Sequence, residues 1–583
     1  MKPVTAITFE HFDHFFARFL NSKATVPTDN VYLAAALCAH VLRDGHIWCD
    51  LTDFAEKEFT PFEKPETAGQ FPPMMQWLED LAASGVVGTH GDYKPLILDT
   101  TSICMYRYWK YEQTTAEAIL KKAGYRQEAL DDPAVQECID KISCGISVDQ
   151  FQRDAIVSAV SNTFTVITGG PGTGKTTTVA RIASVLLQLN RDLPYRIALA
   201  APTGKAAMRL GDSLQSALTH LNLDADIMKR LPTETLTIHR LLGTIPGSVS
   251  FRHNKHLPLP YDLIIIDEAS MVDIALMSKL LEAIPEKCKL ILLGDKDQLA
   301  SVEAGSVLAD VCDFRFPGNV SETIPFEKEQ VNPLSPVITL RKSFRFSNDS
   351  GIGQLAEAIN KGAGDTAWKV LNSDPTCRFI NISDFHTLRR VLAFESKQWF
   401  EELSVVREPE VAIALLDKFR ILTALRQGQW GADFINQFLA DTCKALHAGS
   451  DTGSLFNGMP LMVTGNDYRN NLFNGDTGIL FKQSSQYYVF FKSAGNSVRS
   501  INLRLLVSWE PAFAITVHKS QGSEFSNTVF VLPPVDTPLL ARELIYTAVT
   551  RSRNGILITG DMQILKNGIQ RTTKRHSGLS RRM

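Results

Sequence analysis

Between Val166 and Thr178 a short apolar run breaks into glycines and then into residues that can start a helix. Gly169, Gly174, Lys175 and Thr176 fall on the spacing G-x-x-x-x-G-K-[ST], with Gly170, Pro171, Gly172 and Thr173 between them and Thr177 after. The pattern is a P-loop. Its glycines let consecutive backbone N–H groups curl around phosphates at a helix N-terminus, whose dipole favours negative charge. Lys175 then reaches the outer phosphates and the Thr176 hydroxyl coordinates a metal ion. A chain built on such a loop needs a buried strand before it and a helix after it, which is an α/β layout.

Two further apolar runs end in polar groups. Asp262-Leu-Ile-Ile-Ile-Asp267-Glu268 reads as a fully buried strand delivering paired carboxylates. Asp267 is expected to hold the metal and Glu268 to activate the attacking water as general base. Leu290-Ile-Leu-Leu-Gly294-Asp295-Lys-Asp297-Gln298 is a second such strand, with Gln298 placed to sense a γ-phosphate. Ahead of the P-loop, Gln152 offers an amide donor and acceptor suited to both edges of an adenine. Arg196-Ile-Ala-Leu-Ala-Ala201 runs into Pro202-Thr203-Gly204-Lys205, which is either an ordinary strand-to-helix connection or a second phosphate site at a strand's carboxyl end. Thr237-Ile-His239-Arg240-Leu-Leu-Gly243 has the same two readings.

At 583 residues and 44% hydrophobic content the chain supports three or four cores. No apolar stretch near the start is long enough to span a bilayer, and no export signal is visible, so a cytoplasmic protein with no membrane role is expected. Val31 to Leu42 suits a private core or a docking face. Nine scattered cysteines without a C-x-x-C pair read as reduced thiols, although Cys138 and Cys144 have the look of half a metal site. A net charge of −3 means that any nucleic acid must be held in a local groove. Glu395-Ser-Lys397 is the only echo of a two-metal nuclease, and it is short. From Pro460 to Ile501 several short β-type segments alternate with turn signals, and Tyr487 and Phe490 there suit a barrel core or base stacking. The tail from Lys566 carries six Lys or Arg and no acid, which fits a nucleic-acid arm or a docking tail.

Taken together, Gly-Gly-Pro-Gly-Thr-Gly-Lys-Thr, Ala-Ala-Pro-Thr-Gly-Lys-Ala-Ala, Asp-Glu-Ala-Ser-Met, Gly-Asp-Lys-Asp-Gln-Leu-Ala-Ser-Val-Glu-Ala-Gly305, Lys342-Ser-Phe344-Arg345-Phe346, Thr516-Val-His518-Lys-Ser-Gln521-Gly522-Ser-Glu524 and Tyr546-Thr-Ala-Val-Thr-Arg551 resemble superfamily 1 helicases. More narrowly they resemble the RecD family, the α subunits of bacterial exonuclease V. The resemblance is strong from about residue 150 to the end and loose over the first 110.

It implies two RecA-like P-loop motor domains, at 146–335 and at 336–416 with 510–583. An SH3-like β-barrel is expected as an insertion at 417–509, a mainly helical partner-docking domain at 1–112, and a linker at 113–145. It also implies that Arg345 and Arg551 are arginine fingers on the γ-phosphate, that Glu524 meets the nucleotide sugar, and that Thr203, His239, Thr516 and His518 line a path for single-stranded DNA. The cofactors implied are ATP and Mg²⁺. The activity implied is 5′ to 3′ translocation from duplex ends, within a heterotrimer with RecB and RecC that processes double-strand breaks for recombination. Cutting would belong to a partner subunit. The alternative is a stand-alone RecD-like helicase, of a kind that carries a longer N-terminal region.

Overall fold

The computed structural model describes residues 7–60, 62, 68–124, 133–143, 148–316, 335–345, 350–446, 455–467, 469–492, 497–573 and 575–583. Phe346 of the helicase-like motifs, Cys144, and part of the proline-rich stretch after Thr60 lie outside them.

The P-loop strand Phe164–Thr168 sits inside a six-stranded, wholly parallel sheet. Its order is Leu236–Thr237, Ile197–Ala201, Leu263–Ile266, Lys289–Gly294, Phe164–Thr168, Val337–Thr339. The four middle strands are buried along their whole length, as expected of strands covered on both faces. Alternation divides them between two cores. Ile264 and Ile266 pack with Met277 and Leu280 of the helix Ile274–Ala283, whereas Leu263 and Ile265 pack with the helices Gln150–Ser161, Lys175–Leu189 and Gly204–Leu218. Val337–Thr339 belongs to this sheet, so the first unit runs past the boundary expected at residue 335.

A second parallel sheet has the order Cys377–Asn381, Ser552–Gly560, Phe525–Val531, Phe419–Thr423, Ala514–Thr516. Its member Phe419–Thr423 lies inside the segment expected to form the insertion from residue 417. The central Arg420 hides this strand from an apolar-run reading. It is nonetheless fully buried, donating to the Leu416 and Ala512 carbonyls and lying over the Trp399 and Phe525 rings. The antiparallel part of the insertion is therefore confined to five strands between Met459 and Pro511. Phe490 is buried in its core, and the half-buried Tyr487 donates its hydroxyl to the Leu455 carbonyl at 3.1 Å, so both rings serve packing.

In the N-terminal region the helices His11–Asn21, Asp29–Arg43 and Met74–Ala83 share one core, in which Val31, Leu33, Leu37, Trp77 and Leu81 are buried. The Val31–Leu42 stretch is thus mostly a private core. Two small sheets of two- to four-residue strands complete this unit. The segment expected as a linker instead carries the helices Tyr106–Gly124 and Pro133–Ile142, which pack on Ile274–Ala283 and Lys175–Leu189.

The basic tail folds back across the molecule. Fully buried Glu112 accepts hydrogen bonds from Trp48 Nε1 at 2.8 Å, the Gly578 N–H at 2.7 Å and the Ser577 hydroxyl at 3.0 Å, and pairs with Arg582 at 3.3 Å. The Arg582 guanidinium also covers the rings of Trp48 and Trp109. Removing one partner of a buried, hydrogen-bonded pair costs about 3–5 kcal/mol. Glu112→Ala is expected to release the tail, seen as faster amide exchange at residues 575–583 and as new tryptic cleavage at Arg581 and Arg582. Unchanged exchange there would show that packing alone holds the tail.

Among the described residues no helix is long and apolar enough to cross a membrane, and no group of three or more His, Cys, Asp or Glu is placed to hold a metal.

Candidate active site

The carboxyl ends of the central strands open into a cleft of about 860 Å³ whose far wall comes from the second sheet's unit. In the P-loop, Gly172 and Gly174 have φ of +77° and +82°, a region that L side chains rarely adopt. Both are also crowded. A Cβ on Gly172 would fall 2.2 Å from that of Arg345, and one on Gly174 would fall 2.5 Å from Gln152 Nε2. Gly174 caps the helix Lys175–Leu189, so that helix's first N–H groups face the cleft. Lys175 Nζ donates to the Gly169 and Gly170 carbonyls at 2.6 and 3.1 Å, which holds the ammonium against the loop. Pro171, Thr173, Thr176 and Thr177 complete this wall, and the Thr173 hydroxyl donates to the Gly170 carbonyl at 2.9 Å.

Asp267 and Glu268 follow the strand Leu263–Ile266 into the same cleft. Burial, then the neighbouring Glu268 charge, pushes the Asp267 carboxyl up from the ordinary carboxylate range, with Lys175 acting against both. A half-buried carboxyl pair beside a glycine cradle is a donor set that a hard divalent cation suits, because the ion's charge offsets the repulsion. Gln298 Nε2 donates to Asp295 Oδ2 at 2.9 Å, and the same oxygen accepts from the Tyr546 hydroxyl at 3.1 Å. Gln298 therefore sits in a chain that crosses from one sheet's unit to the other.

Glu524 and Arg551 reach the cleft from the opposite wall, and Arg345 from the segment that follows the strand Val337–Thr339. The segment carrying Arg345 lies along the P-loop, with the Phe344 N–H donating to the Gly172 carbonyl at 2.8 Å. Arg345 Nη1 is 2.7 Å from Glu524 Oε1, and Arg553 donates to Glu524 Oε2 through Nη2 at 2.9 Å and Nε at 3.1 Å. Burial raises the Glu524 pKa, but Arg345 and Arg553 outweigh it and hold the carboxylate below its usual range. Buried Arg551 donates to the Ser523 and Thr547 carbonyls at 3.1 and 3.2 Å.

The four residues expected along a nucleic-acid path lie at or just past strand carboxyl ends. Thr203 and Thr516 accept from the Ala206 and Lys519 N–H groups at 3.2 and 3.3 Å, and each hydroxyl keeps its own hydrogen as a donor. His239 is exposed, its ring edge-on to Phe251 at 5.7 Å, and burial followed by the nearby Arg575 lowers the pKa of half-buried His518. Gly522 of the second unit lies against Ala206 of the first, so the two sets flank one interface.

Sequence reasoning gave no role to Arg553, Tyr546 or Arg181, although all three complete contacts in or beside the cleft. Tyr546 opens the motif that ends in Arg551, and that position was the available signal. Arg553 and Arg181 carried none, since nothing local distinguishes them from surface arginines. Glu395, by contrast, is tied to Arg378 at 2.6 Å, and Lys397 leans toward Glu401 at 3.8 Å, the two lying on different faces of the helix Phe385–Val405.

Three family models match the chain: the RecBCD enzyme subunit RecD N-terminal domain at residues 6–103, an AAA domain at 152–304 and a UvrD-like helicase C-terminal domain at 511–559. RecBCD enzyme subunit RecD of Mycolicibacterium smegmatis is 35% identical over 97% of this chain and 96% of its own length. The Haemophilus influenzae subunit is 31% identical over 98% and 96%. The ATP-dependent RecD2 DNA helicase of Deinococcus radiodurans is 32% identical over 74% of this chain and 51% of its own length. With its two parallel-sheet units meeting at a P-loop cleft and relatives of this identity over nearly its whole length, the chain belongs to the RecD family of DNA helicases.

Proposed function

We propose that this helicase hydrolyses ATP with Mg²⁺ and moves 5′ to 3′ on single-stranded DNA, as the RecD subunit of a heterotrimer with RecB and RecC acting at duplex ends. The observation that carries the reading is the two-sided cleft, in which the P-loop and Asp267–Glu268 face Glu524 and Arg551 of the second sheet's unit, with Arg345 brought in by the segment that joins the two units. Hydrolysis in such a site depends on how the two units sit relative to each other, and that dependence converts turnover into movement. Thr176 and Asp267 would hold Mg²⁺, which neutralises phosphate charge when bound. Lys175 and the loop N–H groups hold the phosphates, Glu268 takes the proton of the attacking water, and Gln298 reports the outer phosphate through Asp295. Arg345 and Arg551 stabilise the charge that develops on the transferred group. Thr203, Thr516, His239 and His518 contact the DNA backbone, and the antiparallel sheet, read as an SH3-like barrel, supports the same strand.

The N-terminal match to the RecD subunit supports the heterotrimer, as does similarity along nearly all of the two RecD subunits. The RecD2 relative keeps the stand-alone helicase as the second reading. Co-purification from the native cell followed by strand displacement on 5′- and 3′-tailed duplexes separates them. Recovery with two large partners and unwinding from 5′ tails is expected. Recovery as a lone active chain favours the second reading, and unwinding only from 3′ tails by the isolated chain removes the polarity.

The isolated chain is also expected to leave end-labelled DNA intact in Mg²⁺ and ATP, because Glu395 and Lys397 are already engaged with neighbouring side chains. Degradation that survives Glu268→Gln and disappears with Glu395→Ala would restore the nuclease reading.

A further inference from the structure

Two buried side chains in the cleft wall make a contact that the hydrolysis chemistry does not use. Arg181, on the P-loop helix, is 2% exposed, and Gln152, on the preceding helix, is 3% exposed. Arg181 Nη1 donates to Gln152 Oε1 at 3.0 Å. A guanidinium has donors only, so the contact itself decides which way the amide is turned. Its oxygen meets Arg181. Its nitrogen is turned toward Gly174, where an added Cβ would fall 2.5 Å from it. The Gln152 backbone is anchored as well, its N–H donating to Asp149 Oδ1 at 3.1 Å. Among the described residues the buried Arg181 Nε–H finds no acceptor, and Arg181 lines the cleft.

We propose that Arg181 is a positioning residue for base recognition: by holding Gln152 Oε1 it presents Nε2 as a fixed donor to N7 of a purine. The inference rests on the ATP reading above and adds a determinant of base preference to it. With one lone pair of Oε1 on Arg181, the second remains for the 6-amino group of adenine, whereas guanine would bring its own carbonyl oxygen against Oε1. Without Arg181 the amide turns over freely, and half of its orientations set oxygen against N7. The base lies far from the transferred phosphate, so this contact acts on binding more than on the chemical step.

The test uses the full chain with single-stranded DNA and compares ATP with 7-deaza-ATP, which lacks N7, in steady-state hydrolysis. Wild type is expected to show a KM about three- to tenfold higher for 7-deaza-ATP, the range of one net hydrogen bond, at similar kcat. R181M is expected to raise the KM for ATP by a similar factor and to lose the distinction between the two nucleotides. R181K, which keeps one donor for Oε1, is expected to restore part of it. Equal KM values in wild type, or full discrimination retained in R181M, would overturn the proposal. Should R181M fail to fold, the wild-type comparison and R181K decide alone. A wild type that binds no ATP would overturn the nucleotide-site reading and this inference with it, whereas ATP binding without the N7 preference overturns the inference only.

Discussion

Lys175→Ala is expected to reduce DNA-stimulated ATP hydrolysis by at least about 10²- to 10³-fold, the cost of removing one preorganised charge-stabilising donor. The ammonium is already held by the Gly169 and Gly170 carbonyls, so it is positioned at the loop before any phosphate arrives. Charge that builds on the phosphoryl oxygens meets a fixed cation in a half-buried site, where it counts for more than in solvent. Lys175→Gln keeps much of the length and a donor but removes the charge, and it is expected to fall nearly as far. Neither change touches the buried strands, so thermal unfolding should move little. Turnover by purified Lys175→Gln at the wild-type rate, with DNA stimulation intact, would remove the P-loop from the mechanism.

The parts of this site that could be read from residue order are those in which one short segment supplies both the scaffold and the chemistry. Leu263–Ile266 is a continuous apolar run, and Phe164–Thr168 is interrupted only by threonines, because both faces of the sheet are covered, and each strand ends directly in its functional residues. Phe419–Thr423 is just as buried, yet Arg420 breaks its pattern, since a cation can be buried when carbonyls and rings from elsewhere receive it. The N-terminal sheets were not legible because strands of two to four residues set up no period. The tail could be seen to be basic but not to end against Glu112, a contact more than 460 residues away in sequence. The two proposed arginine fingers have the same difficulty. No local property of Arg345 or Arg551 announces a phosphate, and only resemblance picked them out; it named Glu524 too, but for the nucleotide sugar and not as the carboxylate between Arg345 and Arg553.

That carboxylate shapes what removing each finger should do. Arg551→Ala is expected to lower kcat by about 10³- to 10⁵-fold with a much smaller change in KM, because a finger acts on charge present only in the transition state. Its guanidinium is buried and braced by the Ser523 and Thr547 carbonyls, so little freedom has to be lost when it meets a phosphate. Arg345 differs, since its guanidinium is paired with Glu524 at 2.7 Å and must exchange that partner for phosphate. Arg345→Ala should therefore cost less than Arg551→Ala, and Glu524→Gln should loosen Arg345 while leaving Arg551 in place. In rapid-quench single turnovers the chemical step is expected to collapse in Arg551→Ala and to fall less far in Arg345→Ala. Severe loss of ATP binding in Arg551→Ala, with bound nucleotide still turned over at the normal rate, would show that this arginine holds the ground state and is no finger.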